Sequence, residues 1–186
     1  MLVAYTLDMA QLDLRTATSP VFGAPPLLAE KAKQHEIDAV LEFWPYAARL
    51  EAKGFKQLIA MEDLTLELGA RGRVAMVGYV FSEDWAKAHP TSVEGFLRAA
   101  AKANELLATS DEEWERIRPL MQATDEATFE ALKRHYREGI PDRSVANNEA
   151  DAKVLYQFLR QFGGEKLVGA ATDLVPGTFW DSGRPG

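Results

Sequence analysis

Apolar positions along the chain change their period about halfway. In the first half, short apolar runs alternate with segments of helical spacing, and the runs at 20–23, 38–44, 55–61 and 74–81 predict strands. The run 74–81 (VAMVGYVF) is apolar except for one glycine, which is typical of a strand covered on both faces. Strands that alternate with helices predict an α/β layer with parallel strands.

Proline and glycine mark the helices predicted in the first half. Residues 2–11 have helical spacing, and Pro25 opens a helix that runs to about Glu36. Pro45 starts another helix, which Gly54 ends. Proline suits the first turn of a helix because the N–H that it lacks would be unpaired there.

The second half has helical spacing throughout. Capping boxes at Thr91–Glu94 and Ser110–Glu113 each predict a helix start. The first of these helices carries Phe96 and Leu97 at apolar positions, and the last predicted helix ends at 163–164. We therefore expect a mainly helical second half, followed by an irregular tail.

Composition and charge narrow the classes of function. The 186 residues are 47% apolar, enough to bury a core, and carry a net charge of −7. An acidic chain is a poor match for nucleic acid, so we expect no nucleic-acid partner. The absence of cysteine excludes disulfides and thiolate chemistry, and no apolar run is long enough to span a membrane.

No set of catalytic or metal-binding residues can be picked out by spacing. His35, His89 and His135 lie far apart in the sequence, and no phosphate loop or nucleophile elbow is present. We therefore expect no enzyme activity, no cofactor and no metal site. A small enzyme with an unrecognised site is the weakest of three hypotheses, because no nucleophile and base are visible together.

One segment favours a small ligand. Between 42 and 46 (EFWPY), a predicted buried strand runs directly into a helix that begins with proline. Ligands of open parallel sheets bind beyond the strand ends, where helix N–H groups favour an anion and aromatic rings supply flat walls. Alternatively, Phe43, Trp44 and Tyr46 pack in the core and Glu42 faces water from an edge strand. The residues alone favour this second interpretation.

Two stretches resemble solute-binding proteins of the nitrate, sulfonate and taurine type, which serve ABC importers. These are GAPPLLAEKAKQHEIDAVLEFWPYAARLEAKGFKQLIAMED and VFSEDWAKAHPTSVEGFLRAAAKANELLATSDEEWERI. The resemblance covers about 20–180 and implies a periplasmic-binding-protein type II fold, with two α/β lobes that close on a solute. It implies capture of an anion or a pyrimidine-like compound and delivery to an ABC permease.

The resemblance also implies which residues lie near the ligand. Trp44 stands where many members of the family have glutamate, so the ligand is expected to differ from theirs. With Glu42 from the segment described above, the predicted ligand-binding set is Phe22, Gly23, Glu42, Trp44, Pro45, Tyr46 and Tyr79.

Relative to that family the chain is incomplete. The resemblance makes 1–81 a partial second lobe and 82–180 a helical segment that would pack on an absent first lobe, with 181–186 as a tail. An uncovered lobe surface is expected to pair with another copy of the chain or with a complementary fragment. The family is periplasmic, whereas the chain shows no signal peptide, which predicts the cytoplasm if the sequence is complete.

A different class of function remains open. In this hypothesis the chain is a cytoplasmic protein-interaction module, in which the C-terminal helices bind a partner and the first half is scaffold. The missing signal peptide favours it over solute capture.

Overall fold

The structure is a computed structural model that describes residues 14–180. The predicted helix at 2–11 and the predicted tail at 181–186 lie outside the described residues. Between 14 and 180, the helices are α1 (Leu14–Ala17), α2 (Pro25–Lys33), α3 (Trp44–Glu51), α4 (Met61–Glu67), α5 (Glu83–Ala88), α6 (Pro90–Thr109), α7 (Asp111–Ile117), the 3-10 helix Arg118–Leu120, α8 (Glu126–Glu138), α9 (Val145–Gly163) and α10 (Glu165–Val168).

The predicted α/β class is wrong. No residue between 14 and 180 belongs to a strand, so the described chain contains no sheet. The resemblance to a periplasmic-binding-protein lobe required a sheet, and it is wrong for the same reason. It therefore lends no support to a role in transport.

The predicted strands form connecting segments instead. A strand is stable only when a neighbouring strand satisfies its N–H and C=O groups. The apolar run 74–81 has no such neighbour in the described chain, and the side chain of Val80 is 95% exposed. Strand propensity in these runs is therefore not realised, because pairing rather than local preference decides whether a strand forms.

Contacts divide the chain into two compact units. Of the described residues, the first unit takes 14–22, Leu58–Met76 and 141–180, and the second takes Gly23–Gln57 and Val77–Ile140. The unit boundaries at 57–58 and 76–77 fall inside two of the predicted strands. These runs thus carry the chain from one unit to the other.

Helices α4 and α9 form the core of the first unit. Leu64 of α4 and Leu68, the residue that follows its last turn, pack on Leu155 of α9, and Val74 and Phe158 pack against this cluster. The apolar positions at 64 and 68 are one helical turn apart, so both face the same way. The apolar pattern predicted no helix at 61–67, so α4 was not among the predicted elements.

Several polar contacts fix the N-terminal half of α9 in the first unit. Ser144 caps this helix by accepting a hydrogen bond from the Asn147 amide at 3.3 Å. Asp151 is buried and forms an ion pair with Arg143. Asn148 is also buried, and its side-chain oxygen accepts a hydrogen bond from the Ala75 amide at 3.2 Å. These contacts satisfy polar groups that would otherwise be costly to bury.

The second unit has two clusters of small and aliphatic side chains. In one, Ala29 and Ala32 of α2 pack on Leu50 of α3. In the other, Ala48 of α3 packs on Ala131 and Leu132 of α8. Alanine at these contacts lets α3 and α8 approach closely, since interaxial distance depends on the side chains between the helices.

Capping decides where several helices of the second unit begin. Ser110 caps α7 by accepting a hydrogen bond from the Glu113 amide at 3.2 Å, which confirms that predicted start. The capping box predicted at Thr91–Glu94 is wrong, because α6 begins at Pro90, two residues before the predicted start at Ser92, with no side-chain cap. Proline at the first position leaves one fewer N–H to satisfy.

Candidate functional site

The predicted ligand residues do not form one group in the described structure. Phe22 belongs to the first unit and is exposed, whereas Gly23 begins the second unit. Trp44 and Pro45 form the first turn of α3. Tyr46 packs against the cluster of alanines and Leu50, and Tyr79 lies in the exposed connecting segment before α5.

Glu42 is half-buried just before α3. One of its carboxylate oxygens, Oε1, is buried and has no hydrogen-bond partner. Burial raises the pKa of the Glu42 carboxyl above its ordinary value, and a hydrogen bond from the Phe43 backbone partly opposes that change. The site therefore holds an acceptor whose hydrogen-bonding capacity the second unit leaves unused.

Aromatic side chains of the second unit form two groups of ring contacts. Trp44, Trp114 and Tyr136 form one group, the aromatic cluster, and Tyr79 and Phe96 form the other. Tyr136 of α8 is central: its ring meets Trp44 edge-on at 6.2 Å between centroids and Trp114 edge-on at 5.3 Å. Its hydroxyl donates a hydrogen bond to the side-chain oxygen of Asn104 at 2.9 Å. These edge-to-face pairs are a favourable arrangement of aromatic rings.

Tyr79 belongs to the second group and lies at the surface. Its ring meets Phe96 of α6 edge-on, with 4.7 Å between centroids. Burial raises the pKa of Tyr136, and the nearby Tyr79 phenol adds to that increase. Trp44 and Tyr79, two of the predicted ligand residues, thus belong to different groups of ring contacts.

The buried member of the cluster fixes α6 against the rest of the second unit. Trp114 is buried, and its indole N–H donates to the Leu107 carbonyl oxygen at 2.7 Å. Arg137 donates to the same carbonyl at 3.0 Å and lies over the Trp114 ring at 5.9 Å. These contacts hold one face of α6, which carries Val93, Ala100, Asn104 and Leu107.

A second face of α6 remains exposed. It carries the 96–106 stripe, which consists of Phe96, Ala99, Ala103 and Leu106. Phe96 is 45% exposed and Leu106 is 40% exposed, and both alanines are exposed. Because successive residues turn about 100° around a helix, the stripe lies roughly 90° from the packed face.

A polar side of α6 lies beyond the stripe. There, Glu94 pairs with Arg98 at 3.7 Å, and Lys102 pairs with Glu105 at 2.9 Å. The charges are balanced along this side. The stripe is therefore an apolar strip between a packed face and a charged side.

Ion pairs join α3 to α8 beside the aromatic cluster. The Glu51 carboxylate meets the Arg134 guanidinium and the His135 ring, each at 2.7 Å. The hydrogen bond with His135, followed by those with Arg134, lowers the pKa of Glu51. Two residues earlier, Arg49 donates to the backbone carbonyls of Met121 and Gln122 at 2.7 and 3.0 Å. These contacts set the position of Trp44 relative to Tyr136.

Other site chemistry is limited in the described chain. No group of three or more His, Asp or Glu side chains within 14–180 is arranged to hold a metal ion. An open depression of about 390 Å³ lies in the first unit, and none of the predicted ligand residues lines it. Its lining is Gln157, Arg160, Gln161, Gly164 and Glu165.

Among the described helices, none is both long and apolar enough to cross a membrane.

The sequence pattern indicated only part of this arrangement. It predicted a site role for Trp44 and Tyr79, but none for Phe96, Trp114 or Tyr136. Trp114 is buried, whereas Phe96 is 45% exposed. The spacing of apolar residues on α6 was the available signal, because they cover a wider arc than one packed face needs.

Comparisons with known proteins add no relative. A scan of the chain against protein-family models found no match, and a search of curated proteins found no similar sequence.

Proposed function

We propose that the second unit is a protein-interaction module that binds a partner through the exposed apolar side of α6. The observation that carries this proposal is that α6, with 20 residues, buries a single side chain, Val93. A surface helix of a globular protein ordinarily buries a whole apolar stripe. Here Phe96, Leu97 and Leu106 face solvent instead.

Two features of the stripe favour a protein partner. An exposed apolar strip beside charged side chains is typical of an interaction surface. Amphipathic helices commonly bind in the groove of another protein through residues spaced like Phe96, Ala99, Ala103 and Leu106. The edge-on contact with Tyr79 restrains the Phe96 ring before binding, which lowers the entropy lost on association.

Site-specific photo-cross-linking tests this function. A benzophenone side chain placed at Leu106 should give one defined product heavier than the chain in an extract of the cells that express it. The same group at Glu105, on the charged side of α6, is the matched control. The same label in a chain that also carries Ala103→Glu should give no product, because the substitution places a carboxylate in the middle of the stripe. Equal products from both positions, or none from Leu106, would contradict the proposal.

Capture of a small planar solute is a second candidate function. The observation in its favour is the unused, buried Oε1 of Glu42, two residues before Trp44. A carboxyl group in that state suits a ligand that donates hydrogen bonds, such as an amino-pyrimidine. The Trp44 ring, 43% exposed, offers a surface on which a planar ligand can stack. A carboxylate here disfavours nitrate or a sulfonate.

Thermal denaturation with added ligands tests this second function. A ligand that binds only the folded chain raises the melting temperature. We expect amino-pyrimidines, and not sulfonates, to do so, and we expect Trp44→Ala to abolish the effect. Trp85→Ala removes an equally exposed tryptophan of α5 and is the control. No shift with any pyrimidine at millimolar concentration would rule out this candidate.

A further inference from the structure

We infer that the partner of the 96–106 stripe is a second copy of this chain, with the two α6 helices antiparallel about a two-fold axis. This inference deepens the proposed function by naming the partner, and it rests on that function. Its basis is the order of residues in the stripe, their exposure and their spacing.

The stripe has the same spacing in both directions. The intervals between Phe96, Ala99, Ala103 and Leu106 are three, four and three residues. An antiparallel copy therefore presents its side chains at matching heights: Phe96 meets Leu106 of the second copy, and Ala99 meets its Ala103. A two-fold interface requires this kind of self-complementary surface.

The sizes of the side chains favour antiparallel over parallel pairing. In a parallel pair, Phe96 meets Phe96 at one end and Leu106 meets Leu106 at the other, so the two ends differ in width. In the antiparallel pair each end contains one phenylalanine and one leucine. The helix axes then stay at equal separation, and the central alanines permit a short interaxial distance of about 8 Å. Antiparallel helix dipoles also attract each other.

Charges at the edge of the stripe allow this pairing. Lys102 lies at the edge nearest the two-fold axis and is already paired with Glu105 at 2.9 Å. The two Lys102 ammonium groups approach each other in the dimer, and each Glu105 offsets that repulsion. We therefore expect added salt to tighten the dimer slightly, since it screens like charges.

The 96–106 stripe is small, so we expect a weak dimer. Three helical turns bury less than the roughly 1,600 Å² of a standard interface. The exposed ring of Tyr79, in contact with Phe96, enlarges it at each end. We expect a dissociation constant of roughly 1–100 μM, in the range of transient complexes.

Sedimentation velocity over a concentration series tests the inference with the full chain. The wild-type chain should change from monomer to dimer across roughly micromolar to millimolar concentrations. Ala103→Glu should remain monomeric throughout, because it buries a carboxylate at the two-fold axis. Ala101→Glu is the matched control: Ala101 is exposed on the opposite side of α6, so this variant should dimerise like the wild type. Circular dichroism shows whether each variant is folded.

Cysteine cross-linking tests the orientation, and the chain is suited to it because it contains no cysteine. A tagged Ala99→Cys chain should form a disulfide with an untagged Ala103→Cys chain. Two Ala99→Cys chains should react poorly with each other, and Glu94→Cys on the charged side is the control. Preferential disulfides between two Ala99→Cys chains would overturn the antiparallel arrangement.

The sedimentation and photo-cross-linking results together show whether this inference or the proposed function fails. A wild-type chain that stays monomeric at millimolar concentration overturns the second copy as the partner. If the benzophenone at Leu106 still gives a defined product that Ala103→Glu abolishes, the interaction module stands with a different partner. If that product is also absent, the proposed function fails as well. Equal loss of dimer in Ala101→Glu and Ala103→Glu would also overturn the inference.

Discussion

Glu51 and His135 join α3 to α8, with 2.7 Å between the carboxylate oxygen and ring nitrogen Nε2. Because this contact lowers the pKa of Glu51, the unfolded chain binds protons more readily than the folded chain. The contact between Glu51 and His135 therefore stabilises the fold above the unfolded carboxyl pKa of about 4.3. This stabilisation is lost as pH falls through the lower, folded pKa of Glu51.

We expect Glu51→Gln to lower the free energy of unfolding at neutral pH. The effect should be about 1 kcal/mol or less, because the ion pair is partly exposed and solvent screens it. Urea denaturation at neutral pH and below the unfolded pKa measures it, and the difference between variant and wild type should shrink in acid. Glu130→Gln, which removes an exposed pair within α8, is the control. A constant difference at all pH values would contradict this account.

Ala48 tests the close packing of α3 on α8. Its side chain is 0% exposed and lies against Ala131 and Leu132. We expect Ala48→Leu to destabilise the fold by about 1–3 kcal/mol, because the extra methylenes have no space without moving a helix. Ala127→Leu adds the same group to an exposed position of α8, so it should change stability little. Chemical denaturation compares the two, and equal effects would refute the packing argument.

Glu42 should show the opposite pH dependence to Glu51. Burial raises its pKa, so the folded chain binds this proton more readily than the unfolded chain. The stability that this bound proton adds is present below the unfolded pKa of Glu42 and is lost as pH rises through the raised, folded pKa. We expect Glu42→Gln to increase stability at neutral pH by up to about 1 kcal/mol, as measured by denaturant unfolding. Asp38→Asn, in the same segment but exposed, is the control. A loss of stability would show that Glu42 has a partner in solution.

Hydrogen exchange distinguishes the observed connecting segment from a strand. The backbone amides of 77–80 make no hydrogen bond with the described part of the chain, whereas those of α8 lie within a packed helix. We expect the amides of Val77 and Val80 to exchange rapidly and those of Phe129 and Leu132 slowly, as measured by mass spectrometry or NMR. Protection at 77–80 comparable to that of α8 would mean that this segment pairs as a strand.

Local signals predicted many of the helices because they act within a few residues. Pro25 starts α2 as expected, and Ser110 caps α7. Gly54, which was expected to end a helix, has a φ of 92°, a conformation that glycine adopts readily. In each case the determining contact lies within one helical turn of the residue that signals it.

The predicted strands failed because their stability depends on distant partners. The run 74–81 has the apolar side chains of a buried strand, but no other segment of the described chain pairs with it. Most of the candidate site could not be predicted from the sequence for the same reason. Tyr136 follows Trp44 by 92 positions, and only the packing of α8 on α3 brings their rings together.

The discontinuity of the two units limits how the chain can be divided. Each unit is assembled from separate stretches of sequence, and the chain changes unit at 22–23, 57–58, 76–77 and 140–141. No single truncation can therefore isolate either unit intact. A nick near 76–77 would leave both products without part of a unit, so functional dissection of this protein calls for point substitutions, or for a circularly permuted chain.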